Sequence, residues 1–169
     1  HTYQKLFTTI PNVVNYHTNL GLLKWGLYAT AIYESHDERF NASLGVRTDA
    51  NDYSSEMNNL LDQPSPRPSL SYRLFGAVYL NGSIGRYYEL PPYTTLGFKD
   101  NQDNYLNKAN GLTYIRSDQA GLGLEHRPSS YLKFSIEGFY KRYNQYPMSL
   151  ADSIPLASKG TDYGVLGNE

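Results

Sequence analysis

The chain has 169 residues, of which 40% are hydrophobic, a net charge of −1 at pH 7 and no cysteine. The balanced charge lacks the basic excess of nucleic-acid-binding domains, so no nucleic-acid partner is expected. The absence of cysteine excludes a disulfide framework and a thiolate metal site. The mean hydropathy of −0.57 is too polar for transmembrane helices, but it is compatible with a transmembrane β-barrel, whose strands are apolar on one face only.

Neither end of the sequence has the features of a natural chain terminus. The chain starts His1-Thr2-Tyr3 without an initiator methionine or a signal peptide, and it ends in GVLGNE without a closing turn. We therefore expect residues 1–169 to be a section of a longer protein.

The first half of the chain shows an alternation of period two, which is typical of half-buried strands. Three strands are predicted there: GLLKWGLYATAIYES (21–35), RFNASLGVRTD (39–49) and SLSYRL (69–74). In the second run, Phe40 and Leu44 fall on one face while Arg39 and Arg47 fall on the other.

The second half repeats the pattern in three more runs: VYLNGSIGRYY (78–88), DQAGLGLEHR (118–127) and YLKFSIEGFYKRY (131–143). Five of the six runs are longer than the 5 or 6 residues, roughly, of a usual soluble strand.

The connections between these runs alternate in length along the chain. The short ones are Ser35–Glu38, Phe75–Ala77 and Arg127–Ser130. The long ones are Ala50–Pro68, Leu90–Ser117 and the stretch from Asn144 to the end. Short turns at one end and long loops at the other are the layout of outer-membrane barrels. We predict an all-β fold, an antiparallel meander of about six long strands that is part of a large transmembrane β-barrel.

Tyrosine is the compositional outlier, with 17 residues against 6 Phe and 1 Trp. A tyrosine ring is apolar and its hydroxyl is polar, so the side chain suits the boundary between hydrocarbon and water. The stretch GRYYELPPYTTLGF (85–98) places several tyrosines where a strand meets a long loop. The predicted aromatic girdle comprises Tyr72, Tyr87, Tyr88, Tyr131, Tyr140 and Tyr143. The alternative is that tyrosine is simply common in strands.

Motifs for catalysis and metal binding are weak. The loop KDNQDN (99–104) offers carboxylates and amides for calcium, but it lacks the glycine and the distal glutamate of an EF-hand loop. Ser130 and Lys133 match S-x-x-K, which needs a helix, whereas these residues alternate along a strand. We predict no catalytic residue, no cofactor and no metal site, and we expect a protein that binds and transports rather than an enzyme.

Charged side chains on the polar strand faces have a simpler explanation than catalysis. Glu125 and Glu137 are expected on neighbouring strands, near Lys133, Lys141 and Arg142. A pair of carboxylates could serve a glycosidase, but a polar barrel interior also requires such a mesh of charges. We favour the mesh of charges.

Several phrases of the chain, in this order, resemble a known family. They are RFNASLGVRTDANDYSSEMNNLLDQPSPRPSLSYRL, GRYYELPPYTTLGF, YIRSDQAGLGLEHRP and FSIEGFYKRYNQYPMSLADSIPLASKGTDYGVLGNE. They resemble barrel segments of TonB-dependent outer-membrane receptors of the Bacteroidetes type, from about Trp25 to the end.

The resemblance implies a protein of the outer membrane of a Gram-negative bacterium, in contact with membrane lipid. The whole receptor would hold an N-terminal plug domain inside a barrel of about 22 strands. Residues 1–169 would be an internal section of that barrel, without the plug domain and the remaining strands. The TonB complex would engage the missing N-terminal part.

The resemblance also implies energised uptake of a scarce nutrient: an iron–siderophore, haem, cobalamin, a metal ion or a glycan. The long loops would face the cell exterior and the short turns the periplasm. The candidate contacts with this transported small molecule or glycan are the loop residues Tyr93, Asp100, Asn101, Asp103, Tyr105 and Tyr114.

Two other classes of protein share some of these features. A small soluble β-barrel of lipocalin type would bind a small ligand in its mouth, but its apolar face would point inward. A surface β-sandwich adhesin would explain the tyrosines but not the sorting of loops by length.

Overall fold

A computed structural model of the chain describes residues 18–100, 102–159 and 164–168. Six long strands follow one another: β1 (Lys24–Glu34), β2 (Phe40–Asn51), β3 (Ser65–Phe75), β4 (Val78–Glu89), β5 (Ile115–Ser129) and β6 (Leu132–Asn144). Shorter elements lie in the long connections: α1 (Ser55–Asn58), α2 (Tyr93–Leu96), α3 (Leu106–Ala109), β7 (Pro147–Ser149), α4 (Leu156–Lys159) and β8 (Leu166–Asn168). Within these ranges, none of the helices has the length and apolar character that a membrane span requires.

The six long strands form one antiparallel sheet in the order β1-β2-β3-β4-β5-β6. This confirms the predicted all-β meander. In the described part of the chain, β1 and β6 do not pair with each other, so the sheet is open. The described strands therefore do not close into the barrel of the lipocalin alternative.

Strand β3 begins at Ser65, before the predicted start at Ser69. Its first residues include Pro66 and Pro68, which pair with β2. Among the described residues, β3 pairs with β4 only from Ser69 onward, so both prolines have a neighbouring strand on one side only. A proline nitrogen donates no hydrogen bond, and half-paired positions of this kind tolerate it.

The strand register places most of the apolar residues of the six strands on one face of the sheet, whereas Ile32 and Phe139 lie on the opposite face in the row of Ser83. One row, read from β1 to β6, contains Tyr33, Ala42, Leu70, Gly82, Leu122 and Gly138. This apolar face is uncovered, since Leu122 and Ile136 are 61% and 75% exposed. A soluble monomer rarely leaves so large a continuous apolar surface in water, so the face requires an apolar environment.

The height of the apolar face matches a membrane. On β4 the apolar positions run from Val78 to Ile84, which corresponds to about 20 Å at about 3.3 Å per residue. The apolar band of outer-membrane barrels is about 25 Å tall. On β1 the apolar band runs from Tyr33 to Leu27. Tyr33, at its short-turn end, shares a row with Gly82, which lies four residues beyond the start of the β4 band at Val78. The band on β1 is therefore displaced toward the long connections relative to the band on β4. Tilted strands in a barrel produce such a displacement.

The opposite face is polar. One of its rows contains Glu34, Asn41, Ser71, Asn81, Gly123 and Glu137. Glu125 lies on this face and forms ion pairs with Arg127 and Lys133, as the expected mesh of charges requires. The expectation that Arg142 joins this mesh is wrong. Arg142 pairs in register with Asp118 on the apolar side, because each step along a strand reverses the face.

The connections are sorted by length as predicted. The short turns 35–39, 76–77 and 130–131 lie at one end of the sheet and the long connections at the other. In the first turn, the Ser35 hydroxyl donates to the Asp37 carboxylate at 2.6 Å. In the second, Gly76 has a φ of +49°, a conformation that favours glycine.

Candidate ligand-binding loops

The long connections pack together at one end of the sheet. We call this assembly the loop cap: residues 52–64, 90–100, 102–114, 145–159 and 164–168. Its core consists of Tyr53, Met57, Leu96, Leu112 and Tyr114, with Leu20, Leu22, Tyr88 and Leu90 packed against them. Met57 of α1 and Leu96 of α2 are fully buried, and this burial stabilises helices that are too short to be stable alone. The loops are therefore packed structures with a buried centre.

Buried hydrogen bonds join the first two connections. The side-chain amide of Asn51 donates to the Tyr114 hydroxyl at 2.8 Å. The Tyr53 hydroxyl donates to the carbonyl oxygen of Leu96 at 2.9 Å. Burial raises the pKa of Tyr53 well above its ordinary value, so the phenol stays protonated and keeps this donor.

Asn107 of α3 is fully buried and joins the second connection to the third. Its amide nitrogen donates to the carbonyl oxygens of Thr95 at 2.7 Å and Gly164 at 2.9 Å. Its side-chain oxygen accepts from the backbone N–H of Leu166 at 2.8 Å. On the same helix turn, Asn110 donates to the carbonyl oxygen of Leu166 at 3.1 Å. The buried side chain of Asn107 thus links α3 to α2 and to the third connection.

The three predicted tyrosine contacts occupy different environments. Tyr93 begins α2, is 54% exposed, and its hydroxyl accepts from Lys24 Nζ at 2.7 Å. The Tyr105 hydroxyl donates to the carbonyl oxygen of Asn19 at 2.8 Å, and so holds the chain before β1. Tyr114 is 4% exposed and belongs to the core of the cap.

The predicted polar contacts lie in the turn between α2 and α3. Asp100 accepts from the backbone N–H groups of Gln102 and Asn104 at 2.8 and 2.9 Å, which closes the turn on itself. Asp103 is exposed and pairs with Lys99 at 2.8 Å. Asn101, also predicted as a contact, lies outside the described residues.

Two clefts with mixed polar and apolar linings lie in the loop cap or just below it. One, of about 520 Å³, is lined by Tyr53 and by Lys108, whose ammonium group is 5.8 Å from the ring centroid of Tyr53. The other, of about 570 Å³, lies below the cap and is lined by Tyr114 and by the ion pair of Arg47 with Asp49. Aromatic rings beside charged groups suit a polar or glycan-like molecule.

Three of the predicted girdle tyrosines lie at the edges of the apolar face or in a turn. Tyr72 shares a row with Phe40 toward the short turns. Tyr140 shares a row with Ala120 toward the loop cap and is 66% exposed. Tyr131 lies in the turn between β5 and β6 and is 90% exposed.

The other three have different surroundings. Tyr87 and Tyr143 lie on the polar face, in the row of Ser117. The guanidinium of Arg67 lies 4.4 Å from the ring centroid of Tyr87. Tyr88 contacts Tyr114 edge-on at 6.5 Å between ring centroids.

The sequence analysis missed the core of the loop cap. The signal was the presence of several large apolar residues, Met57, Leu96 and Leu112 among them, inside connections rich in Asn, Asp, Ser, Pro and Gly. Among the described residues, no group of three or more His, Asp or Glu side chains could hold a metal ion.

An open antiparallel meander with an exposed apolar band, a polar opposite face and long loops at one end defines the wall of a membrane-spanning β-barrel. The sequence matches the family described as TonB dependent receptor-like, beta-barrel, over residues 2–167. The chain belongs to this family. No curated protein and no solved structure matches it.

Membership assigns the chain to a family of outer-membrane receptors with a role in transport, which is not a family of enzymes. It also implies contact with outer-membrane lipid and with a transported ligand.

Proposed function

We propose that the protein takes up a scarce nutrient across the outer membrane of a Gram-negative bacterium with energy supplied through TonB. In this proposal, residues 1–169 form a section of the receptor barrel, and the plug domain and the remaining strands lie elsewhere in the receptor.

The observation that carries the proposal is the continuous apolar face, which spans six strands and ends where the charged rows begin. Such a face supports contact with lipid hydrocarbon, while the polar face supports a hydrated interior. Neither edge strand of the described sheet, β1 or β6, has a second neighbour, which supports continuation into further strands.

In the same proposal, the loop cap faces the cell exterior and contributes to cargo binding. The exposed predicted residues Tyr93 and Asp103, together with the cleft beside Lys108, are the best placed for contact. Asp100, Tyr105 and Tyr114 support the shape of the cap through their internal hydrogen bonds. The cargo classes remain an iron–siderophore, haem, cobalamin, a metal ion or a glycan.

The membrane girdle is proposed to include Tyr72 and Tyr140, one toward each edge of the apolar band, with Tyr131 beyond it in a turn. Tyr87 and Tyr143 lie on the polar face, where they suit contact with the hydrated interior.

Epitope tags test this orientation in cells that make the protein at its natural length. A tag inserted after Asn59, in the loop cap, is expected to bind antibody on intact cells. The matched tag after Gly76, in a short turn, is expected to bind only after the outer membrane is permeabilised. Labelling of the Gly76 tag on intact cells would contradict the proposed orientation.

Growth assays test the energised uptake. Strains that lack this protein or TonB are compared on limiting iron, haem, cobalamin and glycan sources. The proposal expects one source on which both strains grow poorly. A source used normally without TonB, but not without this protein, would contradict coupling to TonB.

A further inference from the structure

An arginine-rich row crosses the apolar side of the sheet where its apolar band ends. Ile84, Ala120 and Tyr140 form the last apolar row on β4, β5 and β6. Two residues further toward the loop cap, the next row on the same side contains Arg86, Asp118 and Arg142.

The ion pairs in this row and with Arg116 of the next row leave positive charge in excess. Arg86 Nε lies 2.7 Å from Asp118 Oδ1, and Arg116 Nε lies 3.4 Å from Asp118 Oδ2. Arg142 is directly opposite Asp118 on the neighbouring strand. One carboxylate therefore faces three guanidinium groups. Within the described residues, the Nε atom of Arg116 is buried and has no hydrogen-bond partner.

The position of the cluster relative to the apolar band suggests what covers it. Adjacent rows on one face of a sheet are separated by about 6 to 7 Å along the strand. The cluster therefore lies one row beyond hydrocarbon-facing side chains, at the depth of the polar headgroups. A charged group aimed at lipid is costly near the bilayer centre, but it is tolerated at this depth.

Arginine suits one kind of headgroup in particular. The planar guanidinium offers several N–H donors in a fork that matches phosphate oxygens, and it remains charged at any physiological pH. A molecule that carried both a phosphate and acyl chains would place the phosphate on the arginines and the chains on the apolar rows of Ile84, Ala120 and Tyr140.

We propose that Arg86, Arg116 and Arg142 form a binding site for the phosphate group of a membrane lipid, whose acyl chains lie on the adjacent apolar rows. Asp118 is a positioning residue in this site, since it orients two of the guanidinium groups. The site rests on the proposed membrane orientation, because only a barrel with this face toward lipid exposes the row to headgroups.

Native mass spectrometry of the protein at its natural length, purified in detergent, tests the site. The probes are dioleoyl phosphatidic acid and dioleoylglycerol, which share acyl chains and differ in the phosphate. The protein is expected to retain phosphatidic acid and to release dioleoylglycerol. The double variant R86Q/R142Q is expected to bind phosphatidic acid about tenfold more weakly.

The control R67Q/K141Q removes two positive charges from the opposite face of the same sheet. It is expected to bind phosphatidic acid as the unmodified protein does. Equal loss in both double variants would overturn the site, because the effect would then follow net charge. Far-UV circular dichroism of each variant verifies the β-signal before binding is compared.

Two further measurements test the site if R86Q/R142Q fails to fold. Asp118→Asn removes the one negative charge and is expected to raise phosphatidic acid binding about threefold. Inorganic phosphate, added as a competitor, is expected to displace little lipid, because it has no acyl chains. Unchanged binding in Asp118→Asn, or full displacement by inorganic phosphate, would overturn a lipid site. The growth assays described above report TonB-dependent uptake independently, so a failed lipid site and a failed proposed function give different results.

Discussion

The side-chain amide of Asn51, at the end of β2, donates a buried hydrogen bond of 2.8 Å to the hydroxyl of Tyr114, which lies 63 residues further along the chain. This bond links the start of the first long connection to the end of the second. Both side chains are buried because the two connections pack against each other. It explains how loops rich in polar residues acquire a fixed arrangement.

Removal of the Tyr114 hydroxyl is expected to loosen the cap. Tyr114→Phe leaves the buried amide of Asn51 without this acceptor, which costs about 1–3 kcal/mol. Hydrogen–deuterium exchange within residues 52–64 and 90–114 is expected to quicken about tenfold. The control Tyr131→Phe alters a tyrosine that is 90% exposed in a turn, and its exchange should match the unmodified protein. Unchanged exchange in Tyr114→Phe would show that the bond contributes little.

Asn107 offers a stronger test of the same arrangement. Asn107→Ala removes three hydrogen bonds that link Thr95, Gly164 and Leu166. At about 1 kcal/mol for each bond, the cap loses about 3 kcal/mol. Limited proteolysis is expected to cut the cap much faster in this variant. Asn110→Ala, directly after the same helix, removes one hydrogen bond made by an exposed residue, and the variant should be cut at nearly the normal rate. Equal rates for the two variants would contradict the role of Asn107.

A close approach of two strands makes Gly26 intolerant of a side chain. A Cβ atom there would lie 2.8 Å from the carbonyl oxygen of Thr48, a backbone atom that cannot move aside freely. Gly26→Ala is expected to lower the free energy of unfolding by about 1–3 kcal/mol. Urea titration in detergent, followed by the fluorescence of Trp25, measures this change.

The matched control for Gly26 is Gly138→Ala, because no atom lies within 4 Å of a Cβ at Gly138. This variant should unfold at the same urea concentration as the unmodified protein, or slightly above it. A smaller loss in Gly26→Ala than in Gly138→Ala would refute the packing argument.

The turn at Asp100 is expected to respond to acid. Hydrogen bonds from the backbone and side chain of Asn104, with a further one from Gln102, hold the pKa of Asp100 below its ordinary value of 3.8. A lowered folded pKa means that the stabilisation is complete above the ordinary value and is lost as the pH falls through the folded value. Amide protection at Gln102 and Asn104, corrected for the intrinsic exchange rate, should therefore fall below about pH 4.

Asp100→Asn tests whether the acid response of that turn comes from the charge of the Asp100 carboxylate or from the hydrogen bonds that its oxygen accepts. The amide oxygen can accept the same backbone bonds, but it does not titrate in this range. Protection in this variant should stay constant as the pH falls, whereas Asp103→Asn should keep the acid-dependent loss. A loss of equal size in Asp100→Asn would assign the acid response to another group.

The sheet could be predicted from the sequence because each of its determinants is local. Leu70 and Leu122 sit in runs that alternate regularly, and the lengths of the connections order the strands. The same alternation separates Tyr87 from Tyr88, since neighbouring residues of a strand face opposite sides. For the same reason, Lys141 lies on the polar face and the next residue, Arg142, lies on the apolar side.

The loop cap could not be predicted, because its contacts join distant parts of the chain. The local sequence does not distinguish the buried Met57 from the nearby Leu61, which is exposed, and helices of four residues show no periodicity. The partners of Asn107 at Gly164 and Leu166 lie 57 and 59 residues away, and nothing in the local sequence indicates them.

The most direct test of the central claim is the environment of four consecutive positions on β6. Residues 1–169 contain no cysteine. Once any cysteine elsewhere in the protein is replaced by serine, single cysteines at Phe134, Ser135, Ile136 and Glu137 carry a spin label at defined positions. In the protein at its natural length, reconstituted in lipid, collision rates with oxygen and with a water-soluble nickel chelate are measured. The labels at Phe134 and Ile136 should collide mainly with oxygen, and those at Ser135 and Glu137 mainly with nickel. Nickel contact at all four positions, or the reverse alternation, would contradict a barrel wall whose apolar face meets lipid.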